Sequence, residues 1–460
     1  MADYDLVVLG SGPGGYVAAI RAGQLGMKTA IIERDAVGGV CLNWGCIPSK
    51  ALLRNAEVVN LFKHAHEFGV AVDGIEPDFS SAIDRSRQVV TKLTGGVGFL
   101  LKKNKVEVIE GVGALVDKNT VQLGKDGQTL STDKIIIATG ARQRDLPSLP
   151  IDGRVVITSR HALELREVPK RVVIVGAGAT GAEFAYLYRT YGAEVTLVEL
   201  MPRLVPNEDE EVSQQLQRSF SRQGIKAMVE TEVKNVEVHG SSATLKLSGP
   251  KGESELECDK VLVAVGVQGN SDTIGLDKAG VEVERSFVKI DDSMRTNMDN
   301  IYAVGDVTGK LLLAHVASAQ GVTAVETMAG LNPPALDYGL MPKATYCKPQ
   351  IASFGLTEKQ AQDAGLSIKI GKFPFTASGK ALAMGETEGF IKLVVDTEIG
   401  EILGAHMIGA EVTELLGEVS LARLLEGTTT EVGWLVHPHP TISEALKEAA
   451  LAANGEAIHV

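Results

Sequence analysis

Residues 4–9, YDLVVL, form an apolar run interrupted only at Asp5, as expected of a short buried strand. Gly10-Ser11-Gly12-Pro13-Gly14-Gly15 follows, and then a stretch with helical spacing. A second strand is expected at 28–32, ending at Glu33. Strand, glycine turn, helix, strand is the βαβ unit of a parallel sheet. The same order returns in RVVIVGAGATGAEFAYLYRTYGAEVTLVEL. There Gly176, Gly178 and Gly181 stand as Gly10, Gly12 and Gly15 do, and Glu199 stands as Glu33 does, all at one offset. IIIATGA (135–141) is echoed by VLVAVGV (261–267), each reading as the strand that closes its half. The repeat therefore covers whole domains and is not a solenoid. The pattern predicts an α/β chain with two Rossmann-like dinucleotide-binding domains.

The remainder of the chain changes character. NIYAVGDVTGKLLLAHVASAQGVTAVETMAG (300–330) reads as strand, Gly-Asp turn and helix, suited to a return into the first domain. LNPPALDYG (331–339) is a proline-bearing linker. From 341 onward, hairpin-like strands (GFIKLVVDTEIGEILGAHMIG) precede helices, which predicts a third, α+β domain.

Composition narrows the function classes. With 460 residues, 44% apolar and 22% charged, the chain is of ordinary globular make-up. Its 50 glycines suggest many tight turns and close approaches of backbone to ligand. A net charge of −13 argues against nucleic acid as the main partner. No apolar run is long enough to span a membrane. MADYDLVVLG enters a strand at once, unlike a signal or transit peptide, which points to the cytoplasm. A chain whose leader had been removed would read the same, so an organelle matrix stays open. Four cysteines do not make a disulfide framework.

In each glycine loop the first glycine permits the turn and the second lets backbone approach a pyrophosphate. The third lets helix and strand pack closely, and the helix N-terminus attracts the anion. Glu33 and Glu199 are placed to bind ribose hydroxyls. A carboxylate at 199 suits the free 2′-hydroxyl of NAD and repels the 2′-phosphate of NADP. Arg203, in the turn MPRLVP, is read as a solvated surface arginine. Two dinucleotide sites in one chain suggest a tightly held flavin and an exchangeable nicotinamide.

GGVCLNWGCIPSK (38–50) follows Glu33 and so lies near the first site. Cys41 and Cys46 have four residues between them. Zinc is poorly served, because Cys258 and Cys347 are isolated and no histidine is near, so no metal is expected. A redox disulfide and two unrelated buried thiols remain as readings. A disulfide needs Cα atoms within about 7 Å. Five residues of regular helix advance about 7.5 Å and turn about 140°. A disulfide here thus predicts a helix that begins or bends in this segment, near Gly45 and Pro48. Lys50 adds positive charge nearby, or is a solvated helix lysine.

Near the C-terminus, WLVHPHPTISEALKEAA holds His439 between Pro438 and Pro440, with Glu444 five residues on. A carboxylate that orients an imidazole makes a positioned base. Thr441-x-x-Glu444 is equally a helix-capping box. Both readings stand on the residues alone. His437 is read as structural.

Taken together, these motifs resemble the FAD- and NAD(P)-dependent disulfide reductases, over the whole chain. GGVCLNWGCIPSK is similar to the family's redox-disulfide motif, with Ile47-Pro48-Ser49-Lys50 typical of its lipoamide branch. HPHPTISE is similar to the C-terminal base motif, YAVGDV with LLLAHVASAQG to the second flavin segment, and ATYCKPQIASFGLTE to the start of the dimerisation domain. The resemblance implies an FAD domain with redox disulfide at 1–148 and an NAD domain at 149–272. A central segment at 273–340 would return to the FAD domain, and a dimerisation domain would fill 341–460. It places FAD on Gly10, Gly12, Gly15, Glu33, Lys50, Gly113, Gly140, Asp306 and Ala314. It places NAD on Gly176, Gly178, Gly181, Glu183, Glu199 and Gly266. Cys41 would exchange with substrate, Cys46 would face the flavin, and His439, paired with Glu444, would come from the other subunit of a homodimer. The implied reaction is oxidation of protein-bound dihydrolipoamide to lipoamide with reduction of NAD. Implied partners are the lipoyl domain and acyltransferase core of a 2-oxoacid dehydrogenase complex, or a glycine-cleavage lipoyl protein. Rival readings are a glutathione-reductase-like enzyme and a flavin NADH oxidase or transhydrogenase of the same fold. One departure is GVQGN after Gly266, where the family often has Arg and Pro.

Overall fold

The computed structural model describes residues 2–124 and 127–459, in two compact units. The first unit comprises the residues up to Leu52, Ser80–Arg144 and Gly266–Tyr338. Its sheet is built on β1 (Tyr4–Leu9), which runs parallel between β2 (Thr29–Glu33) and the strand Thr129–Ile137. In register, Val7 lies between Ala30 and Ile135. Leu6, Val7 and Val8 are fully buried. Burial of each such side chain contributes about 1.5–3 kcal/mol, and it explains the apolar run from Leu6 to Leu9. β2 starts one residue later than the expected 28–32 and ends on Glu33 itself. The strand Ile301–Ala303 pairs in parallel with Thr129–Ile137, so the late segment of this unit joins the first sheet.

Helix α1 (Pro13–Gln24) follows β1 and packs against the helix Ala314–Met328. Their approach is close enough to need glycine. A Cβ on Gly321 would stand 2.6 Å from the Gly14 carbonyl oxygen.

The second unit comprises Leu53–Phe79, Asp145–Val265 and the residues from Gly339 on. Its parallel sheet runs in the spatial order Lys226–Met228, Glu194–Val198, Arg171–Val175, Lys260–Val263, Val156–Thr158. Arg171–Val175 repeats the role of β1 and Lys260–Val263 that of Thr129–Ile137. An antiparallel meander, Glu232–His239, Ser242–Gly249 and Gly252–Cys258, precedes the closing strand. The C-terminal part is an antiparallel sheet ordered Lys343–Thr345, Gln350–Gly355, Ile402–Gly409, Phe390–Asp396, Ile368–Pro374. The hairpin expected from the sequence is its centre, Phe390–Asp396 against Ile402–Gly409. Helices Val412–Leu424, Thr429–Trp434 and Glu444–Ala453 follow. Phe354, Ile391, Leu393 and Met407 of the sheet share one core with Leu446 and Ala450.

Candidate active site

The two glycine loops have the same geometry. Gly10 and Gly176 hold φ of +97° and +100°, which favours glycine. A Cβ on Gly15 or Gly181 would fall 1.9 Å from the carbonyl oxygen of Gly10 or Gly176. No side chain fits there. Around Gly12 and Gly178, by contrast, nothing lies within 4 Å of the Cβ position. The backbone at the middle glycine of each loop thus borders open space at a helix N-terminus, the arrangement that suits a pyrophosphate.

Glu33 and Glu199 do more than the sequence suggests. Both the N–H and the Oγ–H of Ser11 donate to Oε2 of Glu33, at 2.9 and 2.6 Å. The Asp35 N–H donates to its Oε1 at 2.9 Å. In the second copy the N–H groups of Ala177 and Met201 donate to Oε2 and Oε1 of Glu199, at 2.7 and 2.8 Å. Each acid therefore braces its own glycine loop from the end of the neighbouring strand. Arg203 is not a free surface charge: its Nη2 donates to the carbonyls of Pro206 and Glu208, at 3.0 and 3.3 Å. Two carbonyl acceptors in the turn anchor the guanidinium there.

Other expected cofactor contacts cluster in the first unit. Asp306 is the second residue of the short helix Gly305–Thr308, and burial alone pushes its carboxyl up to about 6. A carboxyl whose shift has only burial as its cause is suited to accept a hydrogen bond from a ligand hydroxyl. Ala314 is the first residue of its helix. Gly140 has φ +69° and open space at its Cβ position. Gly113 faces Leu9 and Ile32 with its Cβ position, so only its backbone could meet a ligand. These features fit a dinucleotide in the first unit.

The cysteines sit on two helices. Cys41 lies in α2 (Gly39–Trp44) and Cys46 opens α3 (Cys46–Lys63), with Gly45 between them at φ −138°, ψ −115°. The helical path is broken where a disulfide requires a break. Both cysteines are thiols here. The Cys41 thiol is hydrogen-bonded to Cys46; that bond first, then burial, then the repulsion of a second thiolate push its pKa up. The dithiol form therefore holds its proton at Cys41 at neutral pH. Lys50, in the first turn of α3, partly offsets this.

The cysteine segment is bonded to the first glycine loop. The Gly38 N–H donates to Ser11 O at 3.0 Å and meets Ser11 Oγ at 3.2 Å. A Cβ on Gly39 would come 2.7 Å from Gly12 Cα. Asn43 ties α2 down by donating from Nδ2 to the carbonyls of Val37 and Gly39, and Arg87 donates to the Asn43 carbonyl at 2.7 Å. Arg87 belongs to no motif, and Asn43, although inside the 38–50 stretch, has partners that the stretch does not announce.

In the second unit, His439 Nδ1 lies 2.9 Å from Glu444 Oε1, and the Thr441 N–H donates to Glu444 Oε2 at 2.8 Å. One carboxylate thus serves both readings. The helix itself starts at Glu444 after Ser443, so Thr441 is not its N-cap. Burial pushes the Glu444 carboxyl up, but the bonds from Thr441 and His439 outweigh it and hold it below the usual carboxylate range. The His439 side chain is 79% exposed. His437 instead lies 2.7 Å from Glu418, whose hydrogen bond raises its pKa against the effect of burial. Glu183 is buried, and its Oε1 accepts the Tyr346 N–H at 3.0 Å. Gly266, which with Arg144 belongs to the first unit, has φ +60°, and the nearest atom to its Cβ position is Arg144 Nε at 3.9 Å. An arginine from another strand end thus stands beside the residue whose own following segment lacks one. Among the described residues no cluster of His, Cys, Asp and Glu could hold a metal ion, and no helix is long and apolar enough to cross a membrane.

Paired glycine loops, a cysteine pair seated on one of them and a carboxylate-held histidine define a class. Residues 4–321 match the pyridine nucleotide-disulphide oxidoreductase family, and residues 341–450 match its dimerisation domain. The chain belongs to this family and is an oxidoreductase that uses FAD and NAD. It is 49% identical over 468 residues to the dihydrolipoyl dehydrogenase of Mycobacterium leprae, with 100% of each chain covered. The enzyme of the same name from Zymomonas mobilis is 46% identical, with 100% of each covered. That from Bacillus subtilis is 44% identical, with 99% of each covered. Among solved structures, the LpdA protein of Mycobacterium tuberculosis superposes with a TM-score of 0.90 at 26% identity, covering 97% of this chain and 98% of that one. The HOCl-induced flavoprotein disulfide reductase RclA of Escherichia coli gives 0.86 at 26% identity, covering 96% and 98%.

Proposed function

We propose that the chain catalyses the dihydrolipoyl dehydrogenase reaction, oxidising protein-bound dihydrolipoamide to lipoamide while NAD is reduced. FAD is held in the first unit by the loop of Gly10, Gly12 and Gly15, with Glu33, Lys50, Gly113, Gly140, Asp306 and Ala314 around it. NAD is held by the loop of Gly176, Gly178 and Gly181, with Glu183, Glu199 and Gly266. The observation that carries this reading is the seating of the cysteine segment on the first glycine loop, through Gly38 to Ser11 and Gly39 to Gly12. It ties a thiol pair to a dinucleotide site. The full-length relatives carry the dihydrolipoyl dehydrogenase name, which selects the substrate.

In the oxidised enzyme Cys41 and Cys46 share a disulfide. His439 of the partner subunit, oriented by Glu444, takes a proton from one substrate thiol. The thiolate attacks Cys41 Sγ, the Cys41–Cys46 bond breaks, and Cys46 leaves as a thiolate. The second substrate thiol then attacks the mixed disulfide at the substrate sulfur. Lipoamide departs, and Cys41 leaves as a thiol once it has taken up a proton. The raised pKa of Cys41 suits this last step, since the product dithiol keeps a proton there. The chemistry that FAD and NAD supply when bound is the two-electron transfer that restores the disulfide. The dimerisation domain supports a homodimer. Lipoyl domains, with the acyltransferase core of a 2-oxoacid dehydrogenase complex or a glycine-cleavage counterpart, supply the substrate in the cytoplasm. The four-part division at 148, 272 and 340 belongs to the same reading.

Cys41→Ser tests it directly. The variant is expected to retain its flavin and to lose dihydrolipoamide turnover by at least about 10³-fold, as for loss of a covalent nucleophile. Turnover at the wild-type rate would contradict the exchange mechanism.

A further inference from the structure

The C-terminal sheet carries a row of polar side chains through its interior. Ser353 pairs with His406, His406 with Lys392, and Lys392 with Lys372, across four neighbouring strands. The Lys392 side chain is 2% exposed. Its Nζ lies 3.0 and 3.2 Å from the two oxygens of Asp209, 2.8 Å from Glu211 Oε2 and 2.6 Å from Glu358 Oε2. Lys372 reaches the other oxygen of Glu211. Burial lowers the pKa of Lys392, but the bonds to Glu211 and Glu358 raise it further, so the ammonium stays charged. Buried ion pairs of this kind are often no more stabilising than apolar side chains of the same volume, so what they orient is the informative question.

What they hold is the start of the helix Glu210–Arg222. Asp209 is its N-cap, accepting the Glu211 N–H at 3.1 Å. One turn on, Ser213 donates from Oγ to the carbonyls of Leu204 and Val205, at 2.6 and 3.3 Å. The Val205 N–H in turn donates to the Ala177 carbonyl at 2.8 Å. Ala177 lies between Gly176 and Gly178, and its N–H is the one that Glu199 grips at 2.7 Å. A continuous set of bonds therefore runs from Lys392, through the first turn of the helix and the segment 200–209, to the second glycine loop.

We propose that Lys392 is a positioning residue for the nicotinamide nucleotide. By fixing Asp209 and Glu211 it holds the segment 200–209 against Ala177, and so sets the loop backbone and Glu199 for the adenosine and pyrophosphate half of the ligand. The proposal rests on the reading of the second glycine loop as the NAD site.

The test uses the flavin-loaded enzyme and three readouts: the dissociation constant of ADP-ribose by calorimetry, KM for NAD against kcat, and the rate at which dihydrolipoamide bleaches the flavin. Lys392→Met is expected to raise the ADP-ribose constant and KM together by about tenfold, the usual order for a displaced binding geometry. The bleaching rate, which needs no NAD, should be unchanged. If Lys392→Met yields no flavin-loaded protein, Glu358→Gln carries the test, with about a threefold rise expected, under 1 kcal/mol. Wild-type ADP-ribose binding in the folded variant, with only a lower Tm, would overturn the positioning role alone. Failure of the wild-type protein to bind ADP-ribose, with flavin bleaching intact, would overturn this proposal and the NAD-site reading together.

Discussion

Glu444 divides its carboxylate between two donors, and that division explains how one residue can look like a helix cap and a catalytic partner at once. Oε2 satisfies the Thr441 N–H, which would otherwise be left at a helix entrance, and Oε1 orients the His439 ring. Its pKa is depressed, so its share of stability is present above the ordinary carboxylate range and is lost only as pH falls through the lowered folded value. At neutral pH the group is a carboxylate. Glu444→Gln is therefore expected to lower dihydrolipoamide turnover by about 10- to 100-fold with flavin content unchanged, read by steady-state rates on flavin-matched samples. Wild-type turnover would leave the carboxylate with the Thr441 contact alone. The glycines, Glu33, Glu199, both cysteines and His439 are legible in the sequence because each belongs to a spaced motif. The roles of Arg87, and of Asn43 within the cysteine motif, are not, because what matters is the carbonyls they reach, and these are set by packing. The burial of Asp306 is likewise a property of the folded unit.

At the scale of elements, the repeat in the sequence is a repeat in close contacts. The third glycine of each loop lies under the carbonyl of the first, leaving a Cβ only 1.9 Å away in both copies. Overpacking of this kind costs about 1–3 kcal/mol and moves backbone. Gly15→Ala is expected to yield protein depleted of flavin. Gly181→Ala should keep its flavin but show a KM for NAD raised by at least about tenfold. Absorbance spectra and NAD titration read the two outcomes, and the reverse pattern would exchange the two assignments. Legibility was good for the central strands of both parallel sheets, Tyr4–Leu9 and Arg171–Val175, whose runs are mostly apolar and lead into glycine loops, and poor for edge strands such as Glu107–Glu110, which carry charge. The break between α2 and α3 followed from disulfide geometry, although its position at Gly45 is a matter of backbone angles. The meander at Glu232–Cys258 is harder to read: its buried residues alternate with charged ones over short strands, and a bulge falls between Val233 and Asn235. The polar row through Lys392 is not readable at all. One lysine in an apolar strand announces no partners, and its three carboxylates come from two distant segments of the chain.

At the scale of the molecule, the segment before the proposed base leaves four large apolar side chains exposed. Leu424, Leu425, Trp434 and Val436 are 76%, 71%, 76% and 85% exposed. Exposed large apolar side chains gathered in one segment suit an association surface, and the dimerisation domain contains all four. A second copy seated there would account both for these exposed side chains and for a base supplied across the interface. Complementation reads this directly. Cys41→Ser and His439→Gln homodimers should each be inactive, whereas a heterodimer of the two has one intact pairing in two and should regain about half the wild-type rate, by twofold symmetry. A heterodimer as inactive as its parents would place both groups in one subunit's site. The charge balance, the glycine loops and the cysteine segment pointed to this class of enzyme from the sequence; the dependence of one subunit on another was legible only through family resemblance, since no spacing encodes it. The most direct measurement of the central claim compares two reactions of the purified, flavin-loaded enzyme: NAD reduction by dihydrolipoamide, and NADPH oxidation by oxidised glutathione. Rapid NAD reduction with negligible activity in the second assay is the predicted result; activity confined to NADPH and glutathione would contradict it.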